Sequence, residues 1–162
     1  MDYVENIKLE DDLLKSEKYR RITFTEIDEE SILKTFDDSD DSAGKFGATV
    51  SFTGSVRSHS KNGPVKGMDY EAYLGMAEVK IKEIEDFVKG KWDIKKLKII
   101  HRIGKLSLGE TSILILVSTS HSKDAFEACQ FILEKIKKEV PIWKKEIFLD
   151  GTSKWVDGNL IN

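Results

Sequence analysis

Cysteine occurs once in these 162 residues, at Cys129, and proline only twice. A lone cysteine excludes an internal disulfide, and His59, His101 and His121 add none of the spacings that hold zinc. Neither a structural metal nor a resident cofactor is expected. No apolar run reaches the roughly 18 residues of a membrane span, and the acidic start Met1-Asp2-Tyr3-Val4-Glu5 lacks a signal peptide's basic opening and apolar centre. The expectation is a cytoplasmic protein without membrane contact. A formal net charge of -3 lacks the positive excess of a general nucleic-acid binder, so any basic site must be local. Apolar residues at 40% and charged residues at 34% give a core and a well-solvated surface, sized for one domain. We read residues 1–20 as a charged arm or short helix and 21–162 as a single domain.

Strands and helices alternate along that domain. Arg21 to Ile27 alternates as a half-buried strand, and Asp28 opens a short helical stretch through Ile32, Leu33 and Phe36. The acidic segment from Asp37 to Gly44 reads as a solvated connection. Ala48, Val50 and Phe52 mark a second strand ending in Gly54-Ser55-Val56-Arg57-Ser58-His59. Ser60 to Gly67 has the chemistry of an exposed loop with a mobile tip, and Met68 to Tyr73 is extended again. A helix follows from Gly75 to Lys89, with Gly90 as its stop. Leu97 to Ile103 and Ser112 to Thr119 are strands joined by a turn over Gly104 to Glu110. The second is so continuously apolar that both of its faces must be covered. Asp124 to Lys138 is amphipathic helix, and strand-like pieces complete the chain from Ile142 to Val156.

The densest chemistry lies where that last helix ends. Lys137 is followed by Val140-Pro141-Ile142-Trp143-Lys144-Lys145-Glu146, and the proline lets the chain bend so that two amines face one pocket. Converging ammonium groups suit an anionic substrate and proton transfer. Arg57 at a strand end offers a planar fork for phosphate or carboxylate. His121 precedes a helix N-terminus, where free N–H groups favour an anion, and Ser122 or Lys123 adds donors there. Each has a plainer explanation when taken singly: a solvated arginine, a capping histidine, lysines complementing a helix dipole. His101-Arg102, within a strand, is assigned to packing before catalysis.

Their order along the chain is more specific. Phe52-Thr53-Gly54-Ser55-Val56-Arg57, Tyr70-Glu71-Ala72-Tyr73, Met76-Ala77-Glu78, His101-Arg102-Ile103-Gly104, Ser118-Thr119-Ser120-His121, Lys137 and Pro141-Ile142-Trp143-Lys144-Lys145-Glu146 resemble successive motifs of one family. It is the large, catalytic subunit of molybdopterin synthase, and the similarity runs from about Gly47 to Val156. The resemblance implies an α+β fold of the α/β hammerhead type with an additional antiparallel β subdomain. It further implies a homodimer within a heterotetramer, each end binding a small ubiquitin-like sulfur carrier whose C-terminal Gly-Gly is a thiocarboxylate. That carrier delivers sulfur twice to cyclic pyranopterin monophosphate, making the dithiolene of molybdopterin. A partner that brings the sulfur agrees with a chain whose only cysteine lies on the apolar stripe of a helix.

Carried over residue by residue, the resemblance puts Ser55, Val56, Arg57, His121, Ser122, Lys137, Lys144, Lys145 and Glu146 around the pterin and the carrier's tail. Arg57 and His121 would clamp the phosphate, Lys137 would exchange protons at the carbon receiving sulfur, and Lys144 would stabilise developing negative charge. This chain departs from the family at Ser122-Lys123, where an arginine usually follows the histidine. The same cations also fit a non-catalytic phosphopterin- or nucleotide-binding module, or a scaffold for a ubiquitin-like partner.

Overall fold

Over residues 21–37 and 44–157, which the computed structural model describes, strands outnumber helices. The order is β1 (Ile22–Thr23), α1 (Glu29–Asp37), β2 (Ala48–Ser55), β3 (His59–Ser60), β4 (Gly63–Ala72) and α2 (Leu74–Lys91). There follow β5 (Ile94–Arg102), β6 (Gly104–Ser107), β7 (Thr111–Thr119), α3 (Ser122–Glu139), β8 (Ile142–Phe148) and β9 (Ser153–Trp155). The expected arm at 1–20 and most of the acidic connection lie outside the described residues.

One sheet has the order β1-β5-β7-β2, with β1 parallel to β5 and the other pairings antiparallel. Its centre is β7, buried at all of its positions. Alternation sends Ile113, Ile115 and Val117 towards Ala77, Ile81, Ile84 and Val88 of α2 and Ala128, Cys129, Ile132 and Ile136 of α3. Leu114 and Leu116 face the other way, against Ile27 and the Ile32, Leu33 and Phe36 side of α1. Helices therefore cover both faces, as the apolar run requires, and each fully buried aliphatic contributes about 1.5–3 kcal/mol of transfer free energy. Asp28 caps α1 by accepting the Ser31 N–H at 3.1 Å.

The second sheet is antiparallel, with order β3-β4-β8-β9 and β6 also paired to β4. The architecture is thus α+β with an added antiparallel sheet. Its own small core is Val56, Met68 and Leu106, with Tyr70 against it. Gly104 makes the corner between the two sheets: at φ +89° it adopts a conformation that L side chains resist, and the chain passes there from β5 into β6.

Four sequence expectations change here. The strand expected over Arg21 to Ile27 is only Ile22–Thr23, where β1 finds a partner in β5. The loop over Ser60 to Gly67 shrinks, because β4 already begins at Gly63, whose φ of +118° permits the tight reversal, and Val65 is buried. The Gly104 to Glu110 turn is mostly strand, because Leu106 is buried and β4 has an edge to be paired. Gly90 does not stop its helix: α2 runs on to Lys91, and the Trp92 N–H closes the last turn on the Val88 carbonyl at 3.0 Å.

Candidate active site

A cleft of about 260 Å³ opens where the two sheets meet the end of α3. Three segments supply its chemistry. The first is the end of β2. There the register against β7 slips by one residue between Gly54 and Ser55, a bulge that turns Ser55, Val56 and Arg57 out of the sheet. Hydrogen bonds fix the bulge from several sides. Ser112 Oγ donates to the Gly54 carbonyl at 3.1 Å, and Val56 is bracketed by its N–H to the Glu110 carbonyl (3.0 Å) and the Gly109 N–H to its own carbonyl (2.8 Å). Glu29 of α1 accepts from both Thr53 (3.0 Å) and Thr111, tying the two strands together beside it. Gly54 has no room for a side chain, since an added Cβ would lie 2.8 Å from Ile113 Cγ2. A Gly54→Ala variant should lose about 1–3 kcal/mol of stability, read as a lower midpoint in thermal unfolding, because Ile113 is buried and branched at Cβ.

The second segment is the last turn of α3, where Ile136 is buried beneath the cleft and Lys137 is exposed at its rim. The helix ends as Val140 N–H bonds the Ile136 carbonyl at 3.2 Å, and Pro141 follows. The chain then becomes β8, the third segment. Period-two alternation puts Lys144 and Glu146 on the cleft side. Lys145 points away, its amine 4.7 Å from the centre of the Trp155 ring and 3.9 Å from Glu71. Glu146 is buried and accepts from Asn62 Nδ2 at 2.9 Å, so the β3–β4 tip expected to be mobile is tied to the site.

The electrostatics single out Lys144. Burial lowers its pKa first, then the charges of Lys137 and Arg57 lower it further, against the raising effect of Glu146. The proton exchange that the sequence assigned to Lys137 therefore suits Lys144 in the structure. Across β4 from it stands Tyr70, whose hydroxyl pKa burial raises and a hydrogen bond to Ser112 opposes. Edge-on to Tyr70, with ring centres 5.4 Å apart, lies His101. Burial, with the Lys144 charge adding, brings the His101 pKa down to about 4, so its imidazole is neutral near pH 7.

The structure thus gathers Ser55, Val56, Arg57, Lys137, Lys144 and Glu146 in one cleft, and leaves His121, Ser122 and Lys145 out of its lining. His121 follows the far end of β7, eight residues from the cleft residue Ile113, a separation of roughly 25 Å along extended chain. It takes the N-cap position of α3, with no hydrogen bond from its side chain to the helix. Lys123 lies 3.8 Å from Glu127 on the surface. Two cleft residues escaped the sequence reading of the site, Tyr70, read only as part of an extended segment and a motif, and His101, assigned to packing; Asn62, which looked like loop, lies outside the lining and reaches the site through Glu146. Alternation of Met68 and Tyr70 in β4, opposite Glu146 and Lys144, was the signal that could have found Tyr70.

Among the described residues no group of histidine, cysteine, aspartate or glutamate is arranged to hold a metal ion, and no helix is long and apolar enough to cross a membrane. Cys129 is buried, and burial pushes its thiol up to about 11, which leaves it a poor nucleophile.

Comparison with known proteins bears on the family and the fold. The family model of the MoaE protein matches residues 22–139. The molybdopterin synthase catalytic subunit of Staphylococcus aureus (strain Mu50 / ATCC 700699) is 48% identical over 109 residues, covering 67% of this chain and 73% of that one. The subunit of the same name from Thermoplasma volcanium is 44% identical, over 67% of this chain and 80% of its own. Among solved structures, molybdopterin synthase from Staphylococcus aureus superposes with a TM-score of 0.75 at 38% identity, covering 88% of this chain and 98% of that chain. A molybdopterin biosynthesis MoaE protein from Burkholderia ambifaria MC40-6 follows at 0.70 and 31%, covering 88% and 90%. With the family model spanning most of its length and relatives near half identical, the chain belongs to the MoaE family of molybdopterin synthase catalytic subunits.

Proposed function

We propose that this chain transfers sulfur from the C-terminal thiocarboxylate of a small ubiquitin-like carrier to cyclic pyranopterin monophosphate, twice per molecule, forming the dithiolene of molybdopterin. The observation that carries the reading is the convergence of Arg57, Lys137 and Lys144, from three separate elements, on one cleft that also holds Glu146. Two anions must meet there, a phosphorylated pterin and a thiocarboxylate, and three cations offset their mutual repulsion. Arg57 grips the phosphate and Ser55 and Val56 line the path beside it. Lys144, with its lowered pKa, exchanges protons at the carbon that receives sulfur. Lys137 at the rim stabilises the charge that develops and steers the carrier's tail. Lys145 braces β8 from behind. Purified chain, thiocarboxylated carrier and precursor should together yield molybdopterin, and omission of the chain should yield none; binding without product would favour a pterin-binding module instead.

His121 and Ser122 take part in the phosphate clamp only if they arrive from a second copy of the chain, since within one copy they lie at the far end of β7. A homodimer brings them there. Mixing Lys137→Ala with His121→Ala subunits and allowing exchange should restore about a quarter of wild-type activity, because half of the dimers are mixed and each regains one intact site. No recovery would place the two residues in one copy's site or remove His121 from it.

A further inference from the structure

His101 is the buried titratable group of the cleft that the sulfur-transfer reading leaves without a task. Its Nδ1 lies 2.8 Å from the Arg102 carbonyl oxygen, and a carbonyl only accepts, so Nδ1 carries the ring proton. In a neutral imidazole the other nitrogen, Nε2, then presents a lone pair. The ring is held in place by that bond, by the edge-on contact with Tyr70, and by the turn into Ile103 and Gly104. Nε2 accepts from no donor among the described residues, and His101, though buried, lines the cleft. Protonation would put a further cation beside Lys144, with Lys137 and Arg57 close to that lysine in turn and only Glu146 opposing. The site therefore holds an acceptor among cations.

We infer that His101 is a ligand-orienting residue: Nε2 accepts a hydrogen bond from a neutral N–H of the molecule that fills the cleft. Cations recognise the anionic ends of the two reactants and cannot accept from an N–H; among the acceptors in the lining, Glu146 already accepts from Asn62, whereas Nε2 of His101 is a neutral acceptor without a donor among the described residues. Two sources supply such a donor, the pterin ring and the amide of the carrier's tail. The inference rests on the sulfur-transfer reading for the identity of these ligands.

The test uses the whole chain with cyclic pyranopterin monophosphate and, separately, with the carrier bearing an ordinary carboxylate terminus. Calorimetry on the wild type establishes binding of each, and failure of both to bind would remove the sulfur-transfer reading and this inference with it. In histidine 15N spectra at pH 7, the His101 Nε2 signal should be that of an unprotonated nitrogen, moving upfield with the ligand that donates to it. Binding of both ligands with Nε2 unmoved, or a proton found on Nε2, would overturn the inference and leave the sulfur-transfer reading standing. A pair of variants reads the same contact. His101→Asn keeps a donor near the Nδ1 position and loses the acceptor, whereas His101→Gln returns an acceptor near Nε2. His101→Asn should weaken the identified ligand roughly tenfold, in KM for the precursor or Kd for the carrier, with kcat nearly unchanged. His101→Gln should recover most of that loss. Equal losses in both variants, tracking a lowered thermal midpoint, would make His101 a packing residue and contradict the proposal.

Discussion

A Lys137→Ala variant forms molybdopterin at least about 100-fold more slowly than the parent, while its thermal midpoint stays nearly where it was. The two halves of that result follow from where the lysine sits. Its neighbour Ile136 is buried and fixes the end of α3, whereas Lys137 itself is exposed at the cleft rim. Alanine is at least as good a helix former, and the only structural loss is a favourable charge near the helix C-terminus, worth about 0.3–1 kcal/mol. Chemistry loses more. The amine proposed to meet the carrier's thiocarboxylate disappears, and so does one of the charges that lower the pKa of Lys144. Removing a cation raises the pKa of its neighbour, so the rising limb of the residual pH–rate profile should move to higher pH. Single-turnover rates measured from pH 6 to 10 check both points. Near-parental rates, or a limb that stays in place, would detach Lys137 from the mechanism.

Lys144→Ala carries a comparable loss, about 10²–10⁴ in rate, by a different route. This lysine is partly buried between Tyr70 on β4 and the cleft, and its pKa is lowered chiefly by that burial. A lowered pKa enlarges the free-amine fraction that proton exchange needs. Because the folded pKa is depressed, the free fraction grows as pH rises towards the ordinary lysine value, and the parental rate should rise with it. In the variant that limb should vanish rather than shift. Stability should not suffer through lost charge, since burial and the Lys137 and Arg57 charges outweigh Glu146 and the fold disfavours the ammonium, so the thermal midpoint separates a lost amine from a lost fold. Lys144→Arg should not restore the activity, because a guanidinium does not release its proton in this range.

Elements with a strong period were legible in the sequence. The amphipathic stripes of α2 and α3 and the apolar run of β7 each announce what they bury, and the structure adds only a turn or a residue at their ends. The second sheet was less so. Strand β6 is four residues long, and the β3–β4 hairpin turns on Gly63 beside a proline, so local chemistry there reads as loop until β4 and β8 supply partners. For the site, Lys137, Lys144 and Glu146 were readable because a helix, a proline and a strand fix their relation within ten residues of chain. Tyr70 and His101 were not, because what brings them to Lys144 is pairing between β4 and β8 and the corner at Gly104, both long-range. The reverse held for His121, whose motif suggested a place in the cleft that the length of β7 denies it within one copy.

The central claim is that the sulfur belongs to the partner and passes through a cleft that contributes cations and no thiol. The direct measurement is a single turnover with carrier whose thiocarboxylate is labelled with heavy sulfur, run on the parent and on Cys129→Ala, with the product weighed by mass spectrometry. The account predicts two labelled sulfurs per molybdopterin from both proteins. Unlabelled sulfur in the product, or activity that disappears with Cys129, would contradict it.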